Sequence, residues 1–440
     1  MIDYKKFFKG KKITVMGLGL LGGAVNDIRY LAENGAVLTV TDLKTAEQLK
    51  PSLRQLKKYP KIKFILGKHK IEDFKNTDMV IQPGNVPMDS LYLTEARKNR
   101  IPIFVSESLF AKYASGVILV GVTGTRGKSM TTALIYEILK SAGRRVFLGG
   151  NVRNVSTLAL LEKVKPGDIV VTELDSWALH GMGEIKKSPH ISVFTSFMPD
   201  HMNYYGGNMK KYFSDKANIF KHQEKGDILV IRPGMKKLIS KNLKSLPAWA
   251  GKLVVVKPGN FQEENRACAV AVAKQFKISE AKIKQAIKNF RGLEGRLQYV
   301  KTVRGVKLYN DNNATTPEAT SAGIELLQPQ RQDLWGKKII LICGGADKKL
   351  PLDNFVKVIN KYCKAAVFIP GTGTSKLLKN YKIKIPNKIG ENLKEAVKNA
   401  QGFALRGDIV LFSPAFASFG MFNNEYERND LFMKIIKGLK

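Results

Sequence analysis

Short apolar runs recur along this chain, mostly ending in glycine, aspartate, asparagine or serine, with helix-patterned stretches between them. From Lys12 to about Ser106 the runs are ITVMGLG, AVLTVTD, KFILG, DMVIQPG and IPIFVS. A second series follows as VILVGVTG, RRVFLGGN, DIVVTEL, ISVFTSF, DILVIRP and KLVVVKPG, and one long helical stretch is expected from about Glu263 to Phe290. A third opens near Arg291 with the hairpin-like QYVKTVRGVKLYND and continues in KIILICGG, AAVFIPG and DIVLFSP. Apolar strands alternating with helices are the rhythm of parallel sheets with helical crossovers. The blocks share this style but no fixed period, which excludes a solenoid. The pattern therefore predicts an α/β chain of three domains, bounded at 1–106, 107–291 and 292–440.

The first apolar run needs separating from a secretory signal, because the basic KKFFKGKK precedes it. Glycines interrupt that run and a second apolar strand follows, so a buried strand with a glycine turn is the better reading. No other stretch approaches the ~18 apolar residues of a membrane span.

Composition changes the picture at two points. Hydrophobic residues make up 44% of the 440, enough for packed cores. The three cysteines, Cys268, Cys343 and Cys363, are odd in number and not spaced as metal ligands, which points to a reducing cytosol without a disulfide framework. The formal charge of +36 raises the question of nucleic acid or an anionic membrane. The lysines, however, are scattered as pairs such as Lys57-Lys58 and Lys337-Lys338, with no tail, basic helix, zinc-finger spacing or RNA-binding aromatic signature. The expectation is no nucleic acid and no membrane.

Two glycine loops carry the candidate chemistry. Gly17 to Gly22 reads GLGLLG, follows an expected strand, opens a helix and has Asp42 twenty residues beyond it. This is the dinucleotide fingerprint: a tight turn, close backbone approach to a diphosphate and an acid for a ribose hydroxyl. Taken alone it allows a dehydrogenase. The second loop, GVTGTRGKSMTT at Gly121 to Thr132, lies between strand and helix. Its amides can cradle phosphates, Lys128 can neutralise them and Ser129 can ligate magnesium. The commonest phosphate loop has glycine six residues before the lysine; here that place is Val122. A dehydrogenase leaves this second loop unexplained.

The spacing G-x-x-G-T-x-G-K-S resembles that of the Mur ligase family, ATP-dependent enzymes that form amide bonds through an acyl phosphate. The resemblance runs in order from GLGLLG to NEYER, almost the whole chain. It implies a Rossmann-like N-terminal domain, a central ATPase-like α/β domain and a Rossmann-like C-terminal domain that closes over the nucleotide. Gly124, Thr125, Gly127, Lys128, Ser129, Asn265, Arg296 and Asp311 match the family's ATP-binding positions. Ser129, Glu173 (in TELDSW), His201 (in PDHMNYYG) and Lys216 (in SDKANIF) match residues that hold magnesium, two ions in all, with Lys216 in the place of a carbamylated lysine. Lys128, His201 and Lys216 are the implied catalytic residues. Leu20, Leu21, Asp42, Gly84 and Asn151 (in GGN) fall in the loops for a UDP-linked substrate.

At the C-terminal end Thr315, Lys348, Ser418 and Tyr426 match the amino-acid site, and SPAFASFGMFNNEYER resembles the signature of members that add D-glutamate to UDP-N-acetylmuramoyl-L-alanine. A cytoplasmic monomer making peptidoglycan precursors is what this implies. The chain departs from the family at Arg153 after GGN, Phe261 for a histidine, Gly295 and Gln298 for the histidine and glutamate of a His-Arg-x-Glu pattern, Asn313 for a lysine and Tyr426, one place off alignment. Another Mur-type ligase using a different amino acid is the alternative within the family.

Overall fold

The computed structural model describes residues 4–20, 22–84, 86–87, 89–153, 155–202, 204–246, 249–328, 336–422 and 424–439. Within them seventeen strands form three sheets. The first comprises β1 (Lys12–Met16), β2 (Val37–Asp42), β3 (Lys63–Leu66), β4 (Met79–Ile81) and β5 (Ile103–Phe104), all parallel, in the order β3-β2-β1-β4-β5. The second comprises β6 (Ile118–Thr123), β7 (Val146–Gly150), β8 (Ile169–Glu173), β9 (Ile191–Phe194), β10 (Ile228–Ile231) and β11 (Lys252–Val255), again all parallel, in the order β11-β10-β9-β6-β8-β7. Their central strands are fully buried and rich in Val and Ile, as expected of sheets covered on both faces.

These two sheets belong to one compact unit, Met1–Phe290. A continuous core joins them: Val15, Val25 and Leu31 of the first sheet's layers pack in one cluster with Leu119, Leu158, Val170 and Met182. A buried polar seam lies beside it. Asp27 Oδ1 accepts hydrogen bonds from Ser156 Oγ (2.5 Å) and Ser106 Oγ (3.0 Å). Burial pushes the Asp27 carboxyl up to about 6, against the pull of the two hydroxyls.

Arg291–Lys440 forms the second unit. Its sheet comprises β12 (Gln298–Val303), β13 (Val306–Asn310), β14 (Ile339–Gly344), β15 (Cys363–Ile369), β16 (Asn387–Ile389) and β17 (Ile409–Phe412), in the order β12-β13-β17-β14-β15-β16. The hairpin expected from the sequence is β12–β13, antiparallel and turning at Arg304 and Gly305 with φ of 49° and 79°. Both turn residues at positive φ match the twist of a tight hairpin.

Two expectations need correcting. The stretch from about Glu263 to Phe290 is two helices, Phe261–Gln275 and Glu280–Asn289. Lys277 adopts a left-handed φ of 55° and Ser279 caps the second helix, so the apolar periodicity continues across a break in the backbone. Strand β16 was not anticipated, because its three residues are exposed and it lacks an apolar run.

Two side-chain networks hold the loops that matter. In the second unit Arg428 is fully buried. It donates to Asn312 Oδ1 (2.8 Å), the Asn312 carbonyl (3.1 Å) and the Phe416 carbonyl (3.3 Å), fastening the loop after β13 to the helix Glu425–Gly438. In the first unit the helices Ser176–Glu184 and Met209–Ala217 are tied by His180, whose Nδ1 lies 2.9 Å from Asp215 Oδ1 and whose Nε2 lies 3.4 Å from Glu184 Oε1. Tyr205 donates to the other Asp215 oxygen at 3.0 Å. The hydrogen bond to Asp215, with Glu184 adding to it, pushes the His180 imidazole up to about 9.

Removing Arg428 leaves three buried oxygens without their donor. Arg428→Ala should therefore lower unfolding stability by about 3 kcal/mol, read as a shift in urea midpoint with the same slope. A proton held by His180 up to about pH 9, against 6.5 for an unstructured histidine, adds stability that is complete below about pH 6.5 and lost as pH rises through 9. The melting-temperature gap between wild type and His180→Gln should accordingly be widest below about pH 6.5 and close by about pH 9. A gap that stays constant with pH would show that His180 acts only by packing.

Candidate active site

Parallel strands deliver all their C-terminal ends to one edge, and ligands bind where neighbouring connections leave in opposite directions. In the second sheet that place is between β6, whose chain runs on to β7, and β9, whose chain runs on to β10. Across this edge stand Arg232 after β10, Ser196 after β9, the loop 124–127 after β6, Glu173 ending β8 and Asn151 after β7.

The loop is anchored before any ligand is considered. Thr125 N donates to the Ser196 carbonyl and Arg126 N to Ser196 Oγ, both at 2.8 Å. Thr195 Oγ1 and Ser196 Oγ in turn donate to the Arg126 carbonyl, at 2.6 and 2.9 Å. Arg126, whose role the sequence leaves unassigned, thus acts here through its backbone. Gly124 has φ of 146°, and a Cβ on it would stand 2.0 Å from Thr195 Oγ1. No side chain fits there. The helix Lys128–Ser141 then begins, with Ser129 in its first turn and Met130 packed against the core beneath.

Lys128 Nζ donates to the Gly124 carbonyl at 2.9 Å and to that of Thr125 at 3.3 Å. Lys216 reaches the same Gly124 carbonyl at 3.1 Å and Thr123 Oγ1 at 3.3 Å. It is 1% exposed, one of the largest fully buried side chains. Burial, then the neighbouring Lys128 charge, pushes its amine down to about 7, while Asp175, Asp200 and Glu173 pull the other way. The phosphate-loop lysine and the lysine matched to the carbamylated position are therefore brought together.

Glu173 is buried, and its carbonyl accepts from Asn151 N at 3.0 Å, so the GGN loop is pinned to the carboxylate's own backbone. His201 adopts φ of 53°, with its ring 4.7 Å from that of Trp177. Trp177 also fills the space beside Gly84 of the first sheet, where a Cβ would lie 2.6 Å from Trp177 Cβ. One tryptophan thus backs both a candidate metal ligand and a candidate substrate loop. Among the described residues no three His, Cys, Asp or Glu side chains form a ready cation cage. The donors present suit magnesium, which commonly takes one or two carboxylates and completes its shell with water and substrate phosphates.

In the first sheet the turn after β1 meets the loop after β4, where a Cβ on Gly17 would stand 3.0 Å from Pro83 Cγ. Asp42 spends its oxygens on the turn: Oδ2 accepts from Leu18 N (2.9 Å) and Gly19 N (3.0 Å), and Oδ1 from Lys44 N (2.8 Å). Leu20 is 36% exposed beside them, and Leu21 lies outside the described residues. Asn265 sits under the phosphate loop, as a Cβ on Gly127 would stand 2.7 Å from its Oδ1.

The second unit gathers its own set. Asp311, just beyond β13, accepts from Leu297 N (2.9 Å) and Ser413 Oγ (2.8 Å), and Arg296 is among the charges acting on it. Burial nevertheless pushes its carboxyl up to about 6. Lys348 Nζ donates to Thr315 Oγ1 at 2.8 Å, joining two residues matched to the amino-acid site. Ser418 is buried, and Tyr426 stands in the first turn of the helix capped by Asn424. Asn313, where the family has lysine, donates its N–H to the Gly295 carbonyl at 2.8 Å. Sequence reasoning missed Arg428, His180 and Asp215. Arg428 was visible only as part of NEYER, and nothing in the linear sequence links His180 to Asp215.

Comparison with known proteins agrees with this arrangement. Three family profiles match in order: "Mur ligase MurD-like, N-terminal domain" over residues 11–105, "Mur ligase middle domain" over 122–279 and "Mur ligase, glutamate ligase domain" over 295–416. Proteins named UDP-N-acetylmuramoylalanine–D-glutamate ligase are similar over nearly full length. That of Roseiflexus sp. (strain RS-1) is 34% identical, covering 97% of this chain and 98% of its own, and that of Borreliella afzelii (strain PKo) is 35% identical with the same coverage. Among solved structures, the UDP-N-acetylmuramate-alanine ligase MurC of Thermotoga maritima aligns over 97% of this chain and 99% of its own, with a TM-score of 0.60 at 17% identity. The MurF ligase of the same organism, solved in complex with ADP, covers 99% of both chains with a TM-score of 0.56 at 15% identity. With its three α/β domains and its anchored phosphate loop, the chain belongs to the Mur ligase family of ATP-dependent ligases.

Proposed function

We propose that this ligase joins D-glutamate to UDP-N-acetylmuramoyl-L-alanine, as a cytoplasmic monomer in peptidoglycan precursor synthesis. The name of the full-length relatives supports the substrates. The observation that carries the chemistry is the convergence of Lys128 and Lys216 on the Gly124 carbonyl. Residues 1–106 would bind the UDP-sugar through Leu20, Leu21, Asp42 and Gly84, with Asn151 contributed from 107–291. Residues 107–291 would bind ATP through Gly124, Thr125, Gly127, Lys128, Ser129 and Asn265. Residues 292–440 would supply Arg296 and Asp311 for the nucleotide and Thr315, Lys348, Ser418 and Tyr426 for D-glutamate.

A carboxylate is a poor electrophile, so condensation needs activation. The substrate carboxylate attacks the γ-phosphorus of ATP, ADP leaves, and an acyl phosphate forms. The D-glutamate amine then attacks the acyl carbon, and the tetrahedral intermediate expels phosphate to leave the amide. Lys128 neutralises the transferring phosphoryl group, while the anchored amides of the loop orient it; catalysis of both steps is mainly positioning and charge neutralisation. Magnesium, when bound, would screen the phosphate charge, with Ser129 and Glu173 as ligands for one ion and His201 and a carbamylated Lys216 for a second. The buried amine of Lys216, unprotonated in good part near neutrality, has the nucleophilic form that reacts with carbon dioxide. A carbamate there would turn an ammonium beside Lys128 into an anion, which the neighbouring Lys128 charge favours.

Phosphate release should require the UDP-sugar and respond to D-glutamate when each amino acid is offered separately. Release with another amino acid but not with D-glutamate would overturn the substrate assignment. Lys128→Ala should reduce turnover by about a hundredfold or more, and persistent ATP turnover would sink the loop's role. Enzyme stripped of carbon dioxide at about pH 5.5, where the Lys216 amine is protonated, should regain activity on adding bicarbonate above about pH 7. Full activity without bicarbonate would show that Lys216 works as an ammonium.

A further inference from the structure

Seven residues after Gly150, the chain supplies a clamp for the GGN loop. Thr157 Oγ1 accepts from Gly150 N at 2.8 Å, with both residues buried. Gly150 has φ of 81°, and a Cβ on it would stand 2.1 Å from the Glu173 carbonyl oxygen, so its backbone lies hard against the end of β8. Asn151 N then donates to that carbonyl at 3.0 Å. Two successive backbone N–H groups are thus fixed, one by Thr157 and one by β8, while Asn151 itself stays exposed. This is also the loop in which Arg153 departs from the family.

The clamp is held in turn by two helices that leave the first sheet. Thr157 Oγ1 donates to Glu107 Oε1 in a long bond of 3.4 Å, which leaves the hydroxyl's lone pairs free to face Gly150. Glu107 stands in the first turn of the helix Ser106–Tyr113. Its neighbour Ser106 accepts from Leu158 N at 3.1 Å, and Ser156 Oγ accepts from Ala159 N at 2.9 Å. Both serine hydroxyls donate to Asp27, on the helix Gly23–Glu33 that the first glycine turn opens. Burial pushes the Glu107 carboxyl up to about 7; Asp175 and Asp27 raise it further, while its own backbone N–H and the Thr157 hydroxyl pull the other way. A carboxyl kept at that cost beside one buried hydroxyl is a placed group, not a solvated charge. The loops matched to the UDP-linked substrate and the GGN loop therefore share one hydrogen-bonded frame.

We propose that Thr157, oriented by Glu107, is the positioning residue that aims Asn151 at the acceptor substrate, a sugar-linked diphosphate ending in a carboxylate. At 2% exposure Thr157 touches no reactant itself. Its hydroxyl fixes the Gly150 N–H, and through it the direction in which Asn151 leaves the edge beside Glu173. This rests on the reading of Asn151 as an acceptor contact.

Initial rates of the full chain, with UDP-N-acetylmuramoyl-L-alanine, magnesium-ATP and D-glutamate varied in turn, test the role. Thr157→Val keeps the shape but removes the acceptor for the Gly150 N–H. It should raise the KM for the UDP-sugar by about tenfold and leave the KM for ATP unchanged. Thr157→Ser, which keeps the hydroxyl, should stay within about twofold of wild type. Glu107→Met should shift the same KM, and combining it with Thr157→Val should add nothing, since both act through one hydroxyl. A wild-type KM for the UDP-sugar in Thr157→Val, an equal rise in the KM for ATP, a Thr157→Ser variant as impaired as Thr157→Val, or full additivity in the double variant would each overturn the role. A wild-type chain indifferent to the UDP-sugar would remove the acceptor reading itself and this role with it.

Discussion

The nucleotide site depends on how closely Gly124 lies against the end of β9. A side chain there would collide with Thr195 at 2.0 Å, so only glycine lets the loop close on the strand. That closeness allows Thr195 and Ser196 to hold Arg126 by both its N–H and its carbonyl. It also turns the Gly124 carbonyl toward two lysines that approach from different helices. Two lysine amines sharing one buried acceptor is an electrostatically costly arrangement: burial first, and then the Lys128 charge, pushes the Lys216 amine down.

Around this centre the fold distributes tasks by strand position. Parallel strands bring Asn151, Glu173, the phosphate loop, Ser196 and Arg232 to one edge, where strand order inserts the phosphate loop of β6 between the ends of β8 and β9. Trp177 and the His180–Asp215 pair extend the support: the first props His201 beside Gly84, and the second braces the helix that carries Lys216. The second unit follows the same logic, with buried Arg428 fastening the loop that carries Asp311.

Much of this was legible in the chain. The strands announce themselves because parallel, doubly covered strands are continuous apolar runs, and the phosphate loop is local, its residues lying within a dozen positions. The exposed β16 and the break at Lys277 were not legible, since neither interrupts nor creates an apolar pattern. Asp42 shows a subtler limit: its type and spacing suggest an acid waiting for a ligand, whereas its oxygens already receive three backbone N–H groups.

By itself the sequence determined the strand–loop–helix rhythm, the three sheets it builds and the phosphate loop, because hydrophobic periodicity and glycine spacing act over a few residues. Tertiary structure alone decided that Lys216 reaches Gly124, that His180 meets Asp215 and that Arg428 lies buried against Asn312. The partners in these contacts stand between 35 and 116 positions apart. Their meeting depends on strand order and crossover direction, which no local pattern encodes.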